Sequence, residues 1–94
     1  MSAVGLLTIV LHISMSRSLK DKRRVLTSIK TRLRKLNVSL AETDYNDVHK
    51  QAQLSIVATS THRDGVDKLL TAVLTEIDRH DPGLIISSEL EWLT

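Results

Sequence analysis

The segment Gln51–Gly83, QAQLSIVATSTHRDGVDKLLTAVLTEIDRHDPG, carries the two clearest periodic patterns of the chain. Its first ten residues alternate between apolar and mostly polar side chains, which predicts a strand over 51–60. Thr61 or Asp64 is suited to cap the helix predicted next, and Asp81-Pro82-Gly83 ends it near His80. The apolar residues of that helix recur at helical spacing: Val66, Leu69, Leu70, Val73, Leu74 and Ile77.

A second strand and helix precede this segment. Residues 4–13 are apolar on both faces of a period-two pattern, as expected of a central strand. Ser18, with Asp21 three residues on, is a suitable helix N-cap, and Asn37 is a suitable stop. The buried stripe predicted for this first helix is Leu26, Ile29, Leu33 and Leu36.

Two shorter patterns complete the order. Residues 38–43 alternate weakly and predict an edge strand, and residues 84–93 predict a last strand. Ile86 is expected to share a face with Leu90 and Trp92. The order β-α-β-β-α-β predicts one α+β domain over 1–94, a ferredoxin-like four-stranded antiparallel sheet with both helices on one face. The expected core is Leu7, Ile9, Leu11, Ile29, Leu33, Leu54, Ile56, Leu70, Val73 and Leu74.

The composition argues against several classes of site and against a targeting or membrane segment. The chain has no cysteine, which excludes disulfides and thiolate metal sites and fits a cytoplasmic protein. The apolar N-terminal stretch is short, contains Thr8 and His12, and has no basic residues before it, so we expect neither a signal peptide nor a membrane span. No motif for a cofactor is present.

Charge is distributed unevenly along the chain. The segment 17–35 contains nine basic residues and one acidic residue, a net charge of +8, whereas the remaining residues carry −6. A basic helix face favours phosphates, because each contact releases counterions. The alternative is a solvated face whose charges pair with the acidic second half. The predicted polyanion-binding residues are Arg17, Lys20, Lys22, Arg23, Arg24, Lys30 and Arg34.

The side chains expected on the outer sheet face bear on two hypotheses, RNA recognition by base stacking and homodimerisation. RNA-recognition motifs need aromatic side chains there for base stacking, but the only aromatic residues of the chain are Tyr45 and Trp92. RNA binding is therefore expected to depend on backbone and shape. Leu6, Val10 and Val57 on this face instead allow a homodimer, the alternative function as an interaction module.

The sequence patterns that could indicate a metal site or a catalytic site are weak. Glu42, Asp44, Asp47 and His49 offer metal ligands, but their spacing fits no known loop and Asp is an ordinary turn residue. An acylphosphatase-like hydrolase is a third alternative on this topology, because Arg17 follows the first strand. That activity requires a glycine-containing anion loop, which is missing at 14–17. We therefore predict no catalytic residues, no metal site and no enzyme.

Two stretches resemble a known family. Val4-Gly5-Leu6-Leu7-Thr8-Ile9, followed by Ser16-Arg17-Ser18-Leu19-Lys20-Asp21-Lys22-Arg23-Arg24-Val25-Leu26, resembles the opening of the YlxP-like bacterial family of unknown function. Asn37-Val38-Ser39-Leu40-Ala41-Glu42 is similar to its middle segment, and the chain departs from the pattern after Asp44. The resemblance implies a ferredoxin-like fold and genes neighbouring those for translation initiation and ribosome maturation. The resulting hypothesis is a non-enzymatic accessory protein that binds ribosomal RNA or ribosome-assembly particles through its first helix.

Overall fold

The computed structural model describes residues 1–94 and contains two helices and four strands. The strands form one antiparallel sheet in the order β2-β3-β1-β4. Each edge strand thus follows a helix that starts from a central strand, and the predicted ferredoxin-like fold is confirmed. The elements are β1 (Ala3–His12), α1 (Leu19–Leu33), β2 (Ser39–Asp44), β3 (Gln51–Ser60), α2 (Arg63–His80) and β4 (Ile85–Trp92).

The central pair β1 and β3 fixes which side chains reach the helices. Its register runs without a break from Ala3 opposite Ser60 to His12 opposite Gln51. The odd-numbered residues of β1 and the even-numbered residues of β3 therefore share the inner face. Nine of the ten predicted core residues are buried; Leu74 is only half-buried and packs at the edge of the core.

Gly5 lets α2 lie directly on β1. A Cβ built at this position would approach Val66 Cγ1 to 2.7 Å and Leu70 Cδ1 to 3.3 Å. The first distance is shorter than a real Cβ contact allows, so any larger residue would push the helix away. A glycine inside a strand is typical of such a close approach between elements.

Both helices differ from expectation at one end. The α1 helix ends at Leu33 instead of Asn37, and the amide N–H of Leu36 donates to the Leu33 carbonyl, 2.9 Å away, in a turn that follows. The α2 helix begins after His62, whose side chain makes no capping hydrogen bond, so the predicted caps at Thr61 and Asp64 are wrong. Gly83, with φ of 83°, lies in the turn after α2 as the Asp-Pro-Gly motif indicates.

A β-bulge changes the faces of β4. The register with β1 shifts between Val10 and Leu11, which pair with Ser87 and Ile85. Ile85 consequently packs against the core and Ile86 is exposed, contrary to the alternation assumed from the sequence.

Neither helix combines the length and the apolar content that crossing a lipid bilayer requires.

Candidate functional site

The start of α1 is held by its own cap. Ser18 is the N-cap, and its Oγ accepts a 3.1 Å hydrogen bond from the amide N–H of Asp21, as predicted. The carboxylate of Asp21 reaches back to accept from the amide N–H of Arg17 at 3.0 Å. The pair of bonds satisfies one open donor of the first helical turn and one amide just before the N-cap.

Five basic side chains occupy one side of α1. At 100° per residue they fall within an arc of roughly 120°, between the β2 edge and the solvent-facing side of the helix. Four are exposed and Lys30 is half-buried, and none forms an ion pair within the protein. We call this set the basic stripe: Lys20, Arg23, Arg24, Lys30 and Arg34. Arg17 is exposed just before the helix and continues it.

Lys22 does not belong to this surface. Its side chain is 3% exposed, and its Nζ lies 2.6 Å from the Tyr45 carbonyl oxygen, 2.8 Å from that of Val48 and 2.9 Å from Glu42 Oε2. Two of the three N–H donors of the ammonium group thus have carbonyl acceptors, and the Glu42 carboxylate supplies the opposite charge. Lys22 is therefore removed from the predicted polyanion-binding set, because no ligand can reach a group that the protein already surrounds.

The loop around Lys22 is shaped to present those acceptors. Tyr45 has a φ of 62°, in the left-handed region that non-glycine residues rarely adopt. The carboxylate of Asp44 accepts from the Tyr45 amide at 2.7 Å, and the Val48 amide donates to the Tyr45 carbonyl at 3.0 Å. The β2–β3 loop is thus fixed to α1 through one buried ammonium group.

The signal for this role was available in the sequence. Lys22 lies four residues before Leu26 and seven before Ile29, so helical spacing places it on the buried stripe. Charge composition alone does not distinguish the two faces of a helix, so it does not separate Lys22 from its exposed basic neighbours.

Two other cations, Arg32 in α1 and Lys35 just after it, pair with the acidic second half of the chain. Arg32 Nη1 lies 3.4 Å from Asp81 Oδ2, and Lys35 Nζ lies 3.1 Å from Glu76 Oε1. The hydrogen bond from Lys35 lowers the pKa of Glu76; burial opposes this shift, and the positive charge of Arg79 adds to it. The intramolecular pairing hypothesis therefore describes Arg32 and Lys35, but none of the basic stripe.

The candidate metal ligands are not assembled into a site. No group of three histidine, aspartate or glutamate side chains is placed to hold a metal ion. Glu42 contacts Lys22, and Asp44 accepts from a backbone amide, so both carboxylates have structural roles. In the loop after β1, Ser16 is buried and its hydroxyl donates to the Ser18 carbonyl at 3.0 Å.

No helix covers the outer face of the sheet. Glu91, Leu6, Val57 and Ser39 form one row across the four strands, since Leu6 pairs with both Glu91 and Val57. Thr43 lies near the β2 end of this face, where its hydroxyl contacts Ser55 Oγ at 2.7 Å and accepts from Gln53 Nε2 at 3.0 Å. The face thus combines apolar positions at its centre with a polar network at one edge.

Solved structures share this architecture at low sequence identity. The de novo designed protein Foldit4 matches with a TM-score of 0.62 at 14% identity, covering 100% of this chain and 98% of that chain. A designed protein with ferredoxin fold matches at 0.54 and 10% identity, over 100% and 87%. A Bacillus subtilis dinuclear metal-binding peptidase matches at 0.61 and 15% identity, over 97% of this chain and 25% of the peptidase. These likenesses concern the fold alone.

Sequence comparison is more specific. Residues 4–90 match the family model described as "Protein of unknown function (DUF503)". The "Uncharacterized protein YlxP" of Bacillus subtilis strain 168 is 44% identical over 76 residues, covering 80% of this chain and 83% of that protein. The resemblance read from the first strand and the basic helix is therefore confirmed, and the chain belongs to this family of proteins of unknown function.

Proposed function

We propose that the protein is a non-enzymatic accessory protein that binds RNA backbone through the basic stripe, with ribosomal RNA or a ribosome-assembly particle as the partner. The observation that carries this proposal is the contrast within α1. Lys22, Arg32 and Lys35 are paired with carboxylates, whereas the five side chains of the stripe have no ion-pair partner. Unpaired cations gathered on one helix side supply the electrostatic attraction that phosphate binding uses.

The kind of contact follows from the residue types. Guanidinium and ammonium groups bind phosphate oxygens strongly, and Arg does so with two parallel hydrogen bonds. The outer sheet face carries Thr8, Ser55 and Gln53 where a base-reading domain of this topology would place aromatic rings. We therefore expect affinity that depends on charge and shape, with little preference among base sequences.

A titration at about 50 mM salt tests this function, because electrostatic binding is strong at low salt. Ribosomal RNA fragments are titrated with the wild type and with a double reversal, Arg23→Glu and Arg24→Glu. The control reverses two exposed cations of α2, Arg63→Glu and Lys68→Glu, so both variants have the same net charge. We expect a weaker affinity for the RNA fragments only in the α1 variant. Equal weakening in both would show that net charge, not the stripe, determines binding.

A homodimeric interaction module is the second candidate, and the uncovered outer sheet face favours it. Leu6 and Val10 lie there on the central strand β1, with the exposed Val57 beside Leu6. A two-fold axis parallel to the strands would stack β4 of one copy over β2 of the other. That arrangement buries the apolar centre and separates the Glu89 and Glu91 carboxylates of the two copies.

A further inference from the structure

Three apolar side chains project at the end of the sheet where β1 finishes. Met15 in the β1–α1 loop is 85% exposed, Leu19 in the first turn of α1 is 36% exposed, and Val48 in the β2–β3 loop is 44% exposed. We call these three residues the apolar tip. None of these side chains belongs to the core that joins the sheet to the helices, so core packing does not explain why they are apolar.

Three contacts hold the loops of the tip against each other. Lys50 Nζ donates to the Ser14 carbonyl at 3.1 Å, and the Ile13 amide donates to the Lys50 carbonyl at 2.8 Å. These bonds join the β2–β3 loop to the loop that carries Met15. The third is the 2.8 Å bond from Lys22 Nζ to the Val48 carbonyl, one helical turn from Leu19. The tip is therefore formed from segments fixed before any partner binds.

Basic side chains lie on the α1 side and the β2–β3 loop side of the tip, whereas on its other side Met15 lines a groove with His80 and Asp81. Arg17 and Lys20 flank Leu19 in sequence, Arg23 lies one turn further along the same side of α1, and Lys50 follows Val48 by two residues. The nearest carboxylates on α1 and β2 are engaged, since Asp21 accepts from the Arg17 amide and Glu42 contacts Lys22. Asp47 is the one exposed acid of the loop itself. The surroundings thus favour an anionic partner with an apolar surface to bury.

We propose that the tip and the stripe together select RNA in which a paired stem adjoins unpaired nucleotides. In a regular duplex the base faces are stacked and inaccessible, so apolar side chains beside its phosphates would gain no contact. An unpaired base offers an apolar face, which Met15 and Val48 would cover while the stripe follows the phosphates of the stem. This inference rests on the proposed function and specifies the class of RNA.

The geometry favours a nucleic acid over a lipid surface. From Lys20 to Arg34 the stripe extends along the helix for roughly 20 Å away from the tip. A flat membrane that touched the tip would leave the distal cations, Lys30 and Arg34, without a partner. A nucleic acid strand can follow the helix and contact both regions.

The test compares two labelled RNAs of equal length at one salt concentration: a hairpin with a loop of unpaired nucleotides, and a blunt duplex of the same stem. The wild type is expected to bind the hairpin about fivefold more tightly, as burial of a small apolar area on a base face would give. The double variant Met15→Ser and Val48→Ser is expected to lose this preference while its duplex affinity and melting temperature stay unchanged.

Every other result of this experiment overturns either the inference about the class of RNA or the proposed RNA binding itself. Equal wild-type affinity for hairpin and duplex overturns this inference, and so does a preference for the hairpin that the double variant retains. In both cases binding to the RNA backbone through the basic stripe still stands. No binding to either RNA overturns both proposals. A third arm uses vesicles of neutral and anionic phospholipid; binding to these in place of RNA would assign the tip to a membrane surface and overturn both.

Discussion

Lys22 on the first helix donates a 2.6 Å hydrogen bond to the carbonyl oxygen of Tyr45, the one non-glycine residue with a left-handed backbone. Together with the contacts to Val48 and Glu42, this bond attaches the β2–β3 loop to α1. In the sequence that resembles the family, this lysine lies within a run of basic residues, but the environment of its side chain differs from theirs. Its positive charge is used inside the protein, and theirs faces solvent.

Replacement of Lys22 by Met is expected to destabilise the protein by about 3 kcal/mol, because it leaves the Glu42 carboxylate without its counter-charge and two carbonyl groups without their donor. Lys20→Met removes the same charge from an exposed, unpaired side chain and should change stability by about 0.5 kcal/mol or less. Urea unfolding of both variants measures the difference. Equal midpoints would contradict the buried role of Lys22.

The pH dependence of stability should contain a contribution from Glu76. Its pKa is lowered below the usual value of 4.5, chiefly by the hydrogen bond from Lys35. A carboxyl group whose pKa is lower in the folded state stabilises the protein above its unfolded pKa, and this stabilisation is lost as the pH falls through the folded pKa. We expect the wild type to lose stability below about pH 4.5 and the Glu76→Gln variant to lose less.

The control for this titration is Lys35→Met, which removes the first cause of the lowered pKa and keeps the carboxylate. Its stability should fall less steeply with decreasing pH than that of the wild type, although Arg79 and His80 still contact Glu76. Parallel profiles for all three proteins would show that Glu76 contributes nothing to the acid sensitivity of the fold.

The outer sheet face gives a prediction about association. If Leu6, Val10 and Val57 form the interface of a homodimer, a charge at Val10 would be buried without a partner. Val10→Lys should then shift the mass measured by light scattering from dimer towards monomer, whereas Thr71→Lys on the exposed side of α2 should not. A wild type that is already monomeric at high micromolar concentration would remove the main support for the interaction module.

The fold was predictable because its signals are redundant. The α2 stripe from Val66 to Ile77, the alternation of β3 and the Asp-Pro-Gly stop each indicate an element independently. The details that failed depend on tertiary context. The bulge that exposes Ile86 arises from pairing with β1, and an N-cap at His62 has no propensity signal.

The site was predictable only in part, for a different reason. The side of α1 that carries Arg23, Arg24 and Arg34 follows from helical spacing. The ion pairs of Arg32 and Lys35 could not be predicted, because they require knowing that the C-terminal half of α2 lies beside α1. The apolar tip joins three separate segments, and only the contacts of Lys22 and Lys50 place them together.

The salt dependence of RNA binding shows whether the basic stripe contacts phosphates. The logarithm of the observed association constant is measured against the logarithm of salt concentration for the wild type, the Arg23→Glu/Arg24→Glu variant and the α2 control, with thermal melts of each. The slope is negative, and we predict that its magnitude falls by about two units in the α1 variant alone, one for each lost phosphate contact, with the fold of that variant intact. An unchanged slope in that variant, or a wild type that binds no RNA at about 50 mM salt, would show that the basic stripe does not bind RNA phosphates.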